Sequence, residues 1–275
     1  MLPLIWLASG CGGGTEAPKE AATPTKPAVE KGEPAEKEAP AESLEPTAAV
    51  EGWGSVKGRI VYVGDAPEQP RIEVPSNIEF CKDHEIVDES LIVNPENKGI
   101  KNVFIYVRNE KRIAPELKDA PAEKAVIDQK FCHFIPHAQV IRVEQGLEVL
   151  SDDPIRHNTH TFPTARNPSF NEAIEANLRE GRNVSLNRPE NLPFQVKCDI
   201  HPWMSAWVLP LDHPYGVVTD ADGNFELRDL PAGTVSLIIW HEKKPNDPLD
   251  KAKEVTIVAG ETSDLGEIVV PADTL

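Results

Sequence analysis

The sequence predicts an all-β fold built as a sandwich or barrel. Its 275 residues include 26 Pro and 17 Gly, a composition that favours many short strands over long helices. Segments rich in β-branched and aromatic side chains, such as residues 56–63 and 102–107, are bounded by Gly, Pro, Asn or Asp. Such bounded runs are typical of strands, and their spacing is that of a β-sandwich or barrel.

Further strand-like segments cover most of the remaining chain. They lie at residues 125–127, 138–143, 147–150, 183–186, 194–198, 206–209, 216–219, 225–227, 234–240, 254–258 and 267–270. A helical turn or two is predicted at residues 170–179. Asp220, Asp222 and Asn224 resemble the start of a calcium loop, but Phe225 and Pro231 stand where that loop needs Gly and Glu. We therefore interpret residues 220–224 as a hairpin turn.

The N-terminal residues predict an exported and tethered protein. Residues 1–11 are apolar and too short to span a bilayer, so we interpret them as the end of an export signal. Ala8-Ser9-Gly10-Cys11 resembles the cleavage box of bacterial lipoproteins, which implies lipidation of Cys11; the alternative is an ordinary apolar N-terminus with an unrelated Cys. Residues 12–51 are rich in Pro, Glu, Ala and Lys, and predict a disordered linker to a membrane.

The net charge of −17 argues against a nucleic-acid partner, because such a surface repels phosphates.

The predicted export also affects the interpretation of the cysteines. Of the four cysteines, Cys11 is the predicted lipidation site and Cys198 belongs to a candidate metal-binding motif described below. Cys81 and Cys132 remain, and an oxidising compartment makes a disulfide between them plausible. Two buried free thiols are the alternative.

The strongest chemical signal is a set of soft metal ligands. Cys198, His201 and Met204 follow the pattern C-x2-H-x2-M, and His157 lies on a loop after the turn at residues 151–154. One thiolate, two imidazoles and a thioether suit copper, since zinc rarely uses Met. A single Cys in the motif fits one copper ion rather than a binuclear centre.

At these residues the chain resembles the cupredoxins, the blue-copper electron carriers, and looks most like the amicyanins. The resemblance rests on the ligand loop with Pro after His and on the H-N-x-H-x-F run at residues 157–162. It implies a Greek-key β-sandwich binding one type 1 copper, with His157, Cys198 and His201 as strong ligands and Met204 as a weak axial one. It also implies that Asn158 ties the two ligand loops together.

The same resemblance assigns an electron port to the ligand loop. Pro202 and Trp203 would form an apolar docking surface beside His201 for protein redox partners; the alternative is that Trp203 is simply core. His160 is expected to have a structural or surface role. Cys132, His133 and His137 are a candidate second metal site, for which we prefer the interpretation of a packed strand end, and His241 is likewise placed at a strand end.

The C-terminal residues resemble the carboxypeptidase regulatory-like β-sandwich, through the D-G-x-F and L-P-x-G runs beginning at Asp222 and Leu230. That resemblance implies a spacer or binding module. The predicted organisation is a signal at 1–11, a linker at 12–51, an N-terminal β extension at 52–124, a cupredoxin-like domain at 125–212 and a small β-sandwich unit at 213–275.

The leading functional hypothesis is an extracytoplasmic, membrane-tethered copper protein that carries single electrons between a donor and an acceptor protein. We find no activated nucleophile or acid–base pair that would indicate an enzyme. Two alternatives stay open: a copper storage or delivery protein, and a surface module, for example one binding carbohydrate, with incidental copper.

Overall fold

The computed structural model describes residues 51–164 and 166–275. The predicted signal at 1–11, with Cys11, and all but the last residue of the predicted linker at 12–51 lie outside the described residues. Within the described part, strands dominate and the prediction of an all-β fold is confirmed. No helix in those residues is long and apolar enough to cross a membrane.

Two sheets in the middle of the chain form a sandwich around one core. One has the strand order β5-β11-β10-β7-β8 and the other the order β4-β3-β6-β9. Their strands are β3 (Ala125–Lys130), β4 (His133–Ile135), β5 (Ala138–Arg142), β6 (Leu147–Ser151), β7 (His157–Phe162), β8 (Asn171–Ile174), β9 (Arg182–Val184), β10 (Phe194–Lys197) and β11 (Ser205–Leu211). Buried side chains from both sheets, including Ile127, Val149, Val196 and Val208, meet in the core between them.

A second sandwich is built from both ends of the described chain. Its sheets have the orders β13-β1-β16 and β12-β2-β14-β15. The strands are β1 (Trp53–Val63), β2 (Phe104–Val107), β12 (Gly216–Val218), β13 (Asn224–Pro231), β14 (Gly233–Trp240), β15 (Asp250–Ile257) and β16 (Thr262–Pro271). A helical turn, Glu79–Lys82, and two 3₁₀ turns, Pro115–Leu117 and Ala272–Thr274, complete the elements.

The two sandwiches do not follow the predicted domain boundaries, which divide the chain after residues 124 and 212. The segment 52–124, predicted as an extension, supplies β1 and β2 to the C-terminal sandwich, where β1 pairs with β13 and β16. Val56 and Ile60 of β1 are fully buried in that core. A unit of residues 213–275 alone is small for a free-standing domain, and these two strands add buried side chains to its core.

The helix predicted at residues 170–179 is wrong, because this segment contains strand β8. β8 pairs antiparallel with β7, from His157 opposite Ile174 to His160 opposite Asn171. β8 is the edge strand of its sheet, and because only Ile174 in it is buried, its sequence shows no two-residue alternation of apolar side chains. Pairing with a neighbouring strand, rather than local helix propensity, decides its conformation.

Residues 220–224 form a tight turn but not the predicted hairpin, because the strands on either side of it, β12 and β13, belong to different sheets. The Asp220 Oδ1 accepts hydrogen bonds from the backbone N–H groups of Asp222 and Asn224, both at 2.9 Å. Gly223 has a φ of +79°, and a Cβ there would lie 2.3 Å from the Ile60 carbonyl oxygen. The carboxylate of Asp220 is therefore used to close a turn.

The two sandwiches pack against each other through aromatic side chains. Trp207, on the outer side of β11, has its ring centroid 4.9 Å from that of Trp240, which lies 5.3 Å from Phe104. Trp240 is fully buried, and its indole N–H donates to the Pro245 carbonyl. This cluster joins the ligand-bearing sheet to the C-terminal sandwich.

We expect Trp240→Ala to lower the free energy of unfolding by about 3–5 kcal/mol, because it removes the centre of this contact and leaves a cavity. Chemical denaturation of the metal-free chain measures the change. Phe162→Ala is the control, since Phe162 is 43% exposed and its loss should cost less than about 0.5 kcal/mol. Equal effects of the two variants would contradict the proposed role of Trp240.

A buried histidine at the same interface gives a pH prediction. His137 Nε2 lies 2.5 Å from Glu242 Oε1, and its Nδ1 lies 3.7 Å from Glu89 Oε2. Burial acts to lower the pKa of His137, but the two carboxylates outweigh it and raise the pKa to about 9. Burial acts to raise the pKa of Glu89, but its hydrogen bonds with His133 and His137 outweigh burial and lower the pKa to about 2.

Because the pKa of His137 is higher in the folded chain, its contribution to stability is complete below about pH 6.5 and is lost as the pH rises through about 9. We expect the free energy of unfolding to fall across this window by up to about 3 kcal/mol. Denaturation at a series of pH values tests this. The His137→Gln variant should show a flatter profile, and an unchanged profile would contradict the assignment.

Candidate metal centre

The candidate metal centre lies at one end of the middle sandwich, where two neighbouring strands position the predicted ligand residues. Strand β10 ends at Lys197, Cys198 follows directly, and β11 begins at Ser205. The loop at 198–204 closes on itself, since the Cys198 N–H donates to the Met204 carbonyl at 3.2 Å and the Met204 N–H to the His201 carbonyl at 2.9 Å. These bonds fold His201 and Met204 back towards Cys198.

His157 is the first residue of β7, and so it lies in a strand rather than on the predicted loop. β7 pairs antiparallel with β10, with His160 opposite Lys197. The continuation of this pairing brings the start of β7 beside the ligand loop, and Asp199 donates its N–H to Asn158 Oδ1 at 2.6 Å. Adjacent strands therefore fix His157 relative to Cys198.

Three of the four predicted ligands come together as one buried cluster. Each of His157, Cys198 and His201 offers one ligand atom, and these three atoms lie within 4.8 Å of one another. His157 Nδ1 is 2.8 Å from His201 Nδ1, and Cys198 Sγ is 3.8 Å from the same His201 nitrogen. Met204, the predicted axial ligand, ends the same loop and is 1% exposed. A single ion could contact the three clustered atoms.

The cluster favours ionisation of its thiol. Burial acts to raise the pKa of Cys198, but hydrogen bonds with His157, His201 and the Asn158 backbone outweigh it and lower the pKa to about 6. The pKa of His157 is raised, because Asp153 and Cys198 overcome the opposing effect of burial. At neutral pH the thiolate that binds metal ions is therefore the favoured form, so few protons need be displaced from Cys198.

Asn158 joins the two ligand-bearing elements. Its Nδ2 donates to Asp199 Oδ2 at 2.9 Å and to Asn171 Oδ1 at 3.0 Å, and its Oδ1 accepts from the Asp199 N–H. Its own backbone N–H lies 3.5 Å from Cys198 Sγ and points at the sulfur. One side chain thus connects β7, β8 and the ligand loop.

Asp153, which is not among the predicted site residues, contacts one of the predicted ligands. Its Oδ2 lies 2.9 Å from His157 Nε2, and both side chains are at most 1% exposed. A carboxylate acceptor on the far nitrogen of a metal-binding His fixes the orientation of the ring. In the sequence, the signal for this contact is a carboxylate four residues before the predicted ligand His157.

The other histidines lie outside the cluster. His160 is on the opposite face of β7 from His157, and its Nδ1 is 3.1 Å from Asp199 Oδ2. His133 bonds Glu89 at 2.9 Å, while His241 is buried at the end of β14, where burial lowers its pKa to about 3. Cys132 is joined to Cys81 in a disulfide, so it offers no thiolate to a second site with His133 and His137.

The ligand loop presents apolar surface around His201. Pro202 is exposed, Ile200 is 47% exposed, and Trp203 is half-buried against the core. The Trp203 ring lies 5.3 Å from that of His201, and its indole N–H donates to the Cys132 carbonyl at 3.3 Å. Trp203 therefore contributes to both the core and the surface beside the ligand.

Comparisons with known proteins give weak structural similarities. No family model matches the chain, and no curated protein matches it in sequence. Amicyanin from Paracoccus versutus (Thiobacillus versutus) aligns with 39% of this chain and 97% of its own, at 18% identity and a TM-score of 0.29. The Cu-containing nitrite reductase of Thermus scotoductus SA-01 aligns with 37% of this chain and 25% of its own, at 16% identity and a TM-score of 0.29.

The donor set itself fits copper. The cluster offers one thiolate and two imidazole nitrogens, with a buried thioether on the same loop, and soft sulfur with imidazole is a combination that suits copper. His157, Cys198 and His201 are the residues that could hold the ion, and Met204 is buried on the same loop as Cys198 and His201.

Proposed function

We propose that this protein is an extracytoplasmic, membrane-tethered electron carrier with one type 1 copper ion. The observation that carries the proposal is the buried cluster of His157, Cys198 and His201 on adjacent elements of a rigid sandwich. When bound, copper supplies a one-electron couple between Cu(I) and Cu(II). The chain supplies the ligands, their orientation and the exclusion of water.

The burial and bonding of the ligands favour electron transfer over catalysis. His157, Cys198 and His201 are each at most 3% exposed, so a substrate has little access to the cluster. Asn158 and Asp153 hold the ligands in place through hydrogen bonds to the loop and to His157. Ligands that cannot move much need little reorganisation when the charge of the ion changes, which speeds electron exchange.

The exposed part of the ligand loop supports a docking role. Pro202 and Trp203, with Ile200 beside them, form an apolar surface next to the His201 ring. The chain carries a net charge of −17. Donor and acceptor proteins with basic surfaces would therefore be steered towards it, and their association rates should fall as salt is added.

The proposed location follows from two features of the chain. The disulfide between Cys81 and Cys132 is of the kind that persists in oxidising compartments outside the cytoplasm. A lipid on Cys11 and the linker at 12–51 would hold the copper domain at a membrane while leaving it free to meet partners.

Voltammetry of the copper-loaded full chain tests the proposal. We expect one reversible electron per chain, with the copper retained through repeated cycles of oxidation and reduction. A protein that stores or delivers copper would instead release it on reduction or transfer it to an acceptor chelator. Loss of the ion on cycling, or the absence of a reversible wave, would contradict the electron-carrier proposal.

A further inference from the structure

The hairpin turn between β3 and β4 has an unusual backbone. Phe131 and Cys132 are its two central residues, since Lys130 pairs with His133 across the hairpin. Both have left-handed φ angles, of 55° and 59°. Two-residue turns of this kind normally use Asn or Gly, which tolerate positive φ. This turn therefore needs support from its surroundings.

Asp153 supplies that support from the neighbouring strand end. Its Oδ1 accepts from the Phe131 N–H at 2.6 Å, and its Oδ2 accepts from the Cys132 N–H at 2.9 Å. The side chain is 1% exposed. Both amide groups of the strained turn are thus bonded to one buried carboxylate.

The same carboxylate also bonds a metal ligand. Asp153 Oδ2 lies 2.9 Å from His157 Nε2, and because a carboxylate only accepts, this nitrogen must carry the hydrogen. The other nitrogen, Nδ1, is then the one that faces His201, at 2.8 Å. The turn therefore helps to set the tautomer and the orientation of the His157 ring.

The turn contacts the second ligand-bearing element as well. The Cys132 carbonyl accepts from the indole N–H of Trp203 at 3.3 Å, and the Trp203 ring lies beside that of His201. Cys132 itself is bonded to Cys81 in the helical turn Glu79–Lys82. Cys132 therefore connects the disulfide to both ligand-bearing elements. Its N–H bonds Asp153, which contacts His157, and its carbonyl bonds Trp203, which lies beside His201.

We propose that the turn of Phe131 and Cys132 is a positioning device for the metal centre, with Asp153 as its positioning residue for His157 and Trp203 as its contact to the ligand loop. The inference rests on the proposed function, because it assigns the turn a role towards that same centre. It predicts that ligand orientation is fixed before any ion binds.

The tautomer of His157 in the metal-free full chain tests the inference without copper. Long-range ¹H–¹⁵N NMR, at a pH high enough that the ring is neutral, should show wild-type His157 with its hydrogen on Nε2, and Asp153→Asn should lose this single tautomer. Asp152→Asn is the matched control, since Asp152 is 41% exposed and pairs with Lys130 instead. A wild-type ring with its hydrogen on Nδ1, or a tautomer unaffected by Asp153→Asn, would overturn the inference.

Copper binding gives a second readout. Asp153→Asn should weaken Cu(II) binding by about 10–100-fold, while Asp152→Asn should leave it unchanged. Trp203→Phe keeps the aromatic ring but removes the bond to Cys132, and should speed Cu(II) dissociation even if Asp153→Asn folds poorly. Wild-type affinity in Asp153→Asn together with wild-type dissociation in Trp203→Phe would overturn the inference. A wild-type chain that binds Cu(II) without an intense colour would instead contradict the proposed function. In that case the tautomer of His157 in the metal-free chain would still test the positioning role of the turn.

Discussion

Replacement of Cys198 by serine is expected to abolish the intense visible absorption of the Cu(II)-loaded protein. That absorption arises from charge transfer between a thiolate and copper, and Cys198 is the only free cysteine among the described residues. A hydroxyl is a harder, weaker donor than a thiolate, so Cu(II) affinity should also fall, by at least about 100-fold. The absorption spectrum and a competitive chelator titration measure the two effects.

His160→Gln is the matched control for this substitution. His160 belongs to the same H-N-x-H run but lies on the opposite face of β7, where it bonds Asp199. Its loss should leave the colour and the copper affinity close to wild type. An intense band that survives in Cys198→Ser, or disappears in His160→Gln, would contradict the assignment of the ligands.

Removal of the disulfide is expected to cause a large loss of stability. Cys81 and Cys132 are 51 residues apart in sequence, and both are fully buried. Cross-linking a loop of this length restricts the unfolded chain, and the double variant Cys81→Ala with Cys132→Ala should lose about 4 kcal/mol of unfolding free energy. Urea denaturation of the metal-free chain measures the loss.

A reducing agent provides the control for that experiment. Dithiothreitol should move the denaturation midpoint of the wild-type chain towards that of the double variant, once unfolding exposes the disulfide. The double variant should not respond, because Cys198 has no partner among the described residues. A wild-type midpoint equal to that of the variant under oxidising conditions would contradict the role given to the disulfide.

The apolar strands can be predicted because their sequences are visibly rich in the residue types that favour β-structure. Residues 56–63 and 234–240 are rich in β-branched side chains, and both lie within strands of the structure. Strand β7 was missed for the opposite reason. Its core-facing residues are His157, Thr159 and Thr161, so the buried face is polar and no apolar alternation appears in the sequence.

The pairing of strands that are far apart in the chain could not be predicted from the sequence. The pairing of β1 with β13 and β16 joins residues far apart in the chain, and nothing local in residues 53–63 indicates which sheet they enter. The same limit applies to the metal centre. The ligand residues could be proposed from their types and spacing, whereas the bonds of Asp153 to the Phe131 turn depend on how the β3–β4 hairpin meets the connection after β6.

The visible spectrum of the wild-type full chain after addition of one equivalent of Cu(II) tests the central claim most directly. The account predicts an intense thiolate-to-copper band in the orange-red, at one copper per chain, that bleaches on reduction and returns on reoxidation. A folded protein that stays colourless with Cu(II) under oxidising conditions would contradict it.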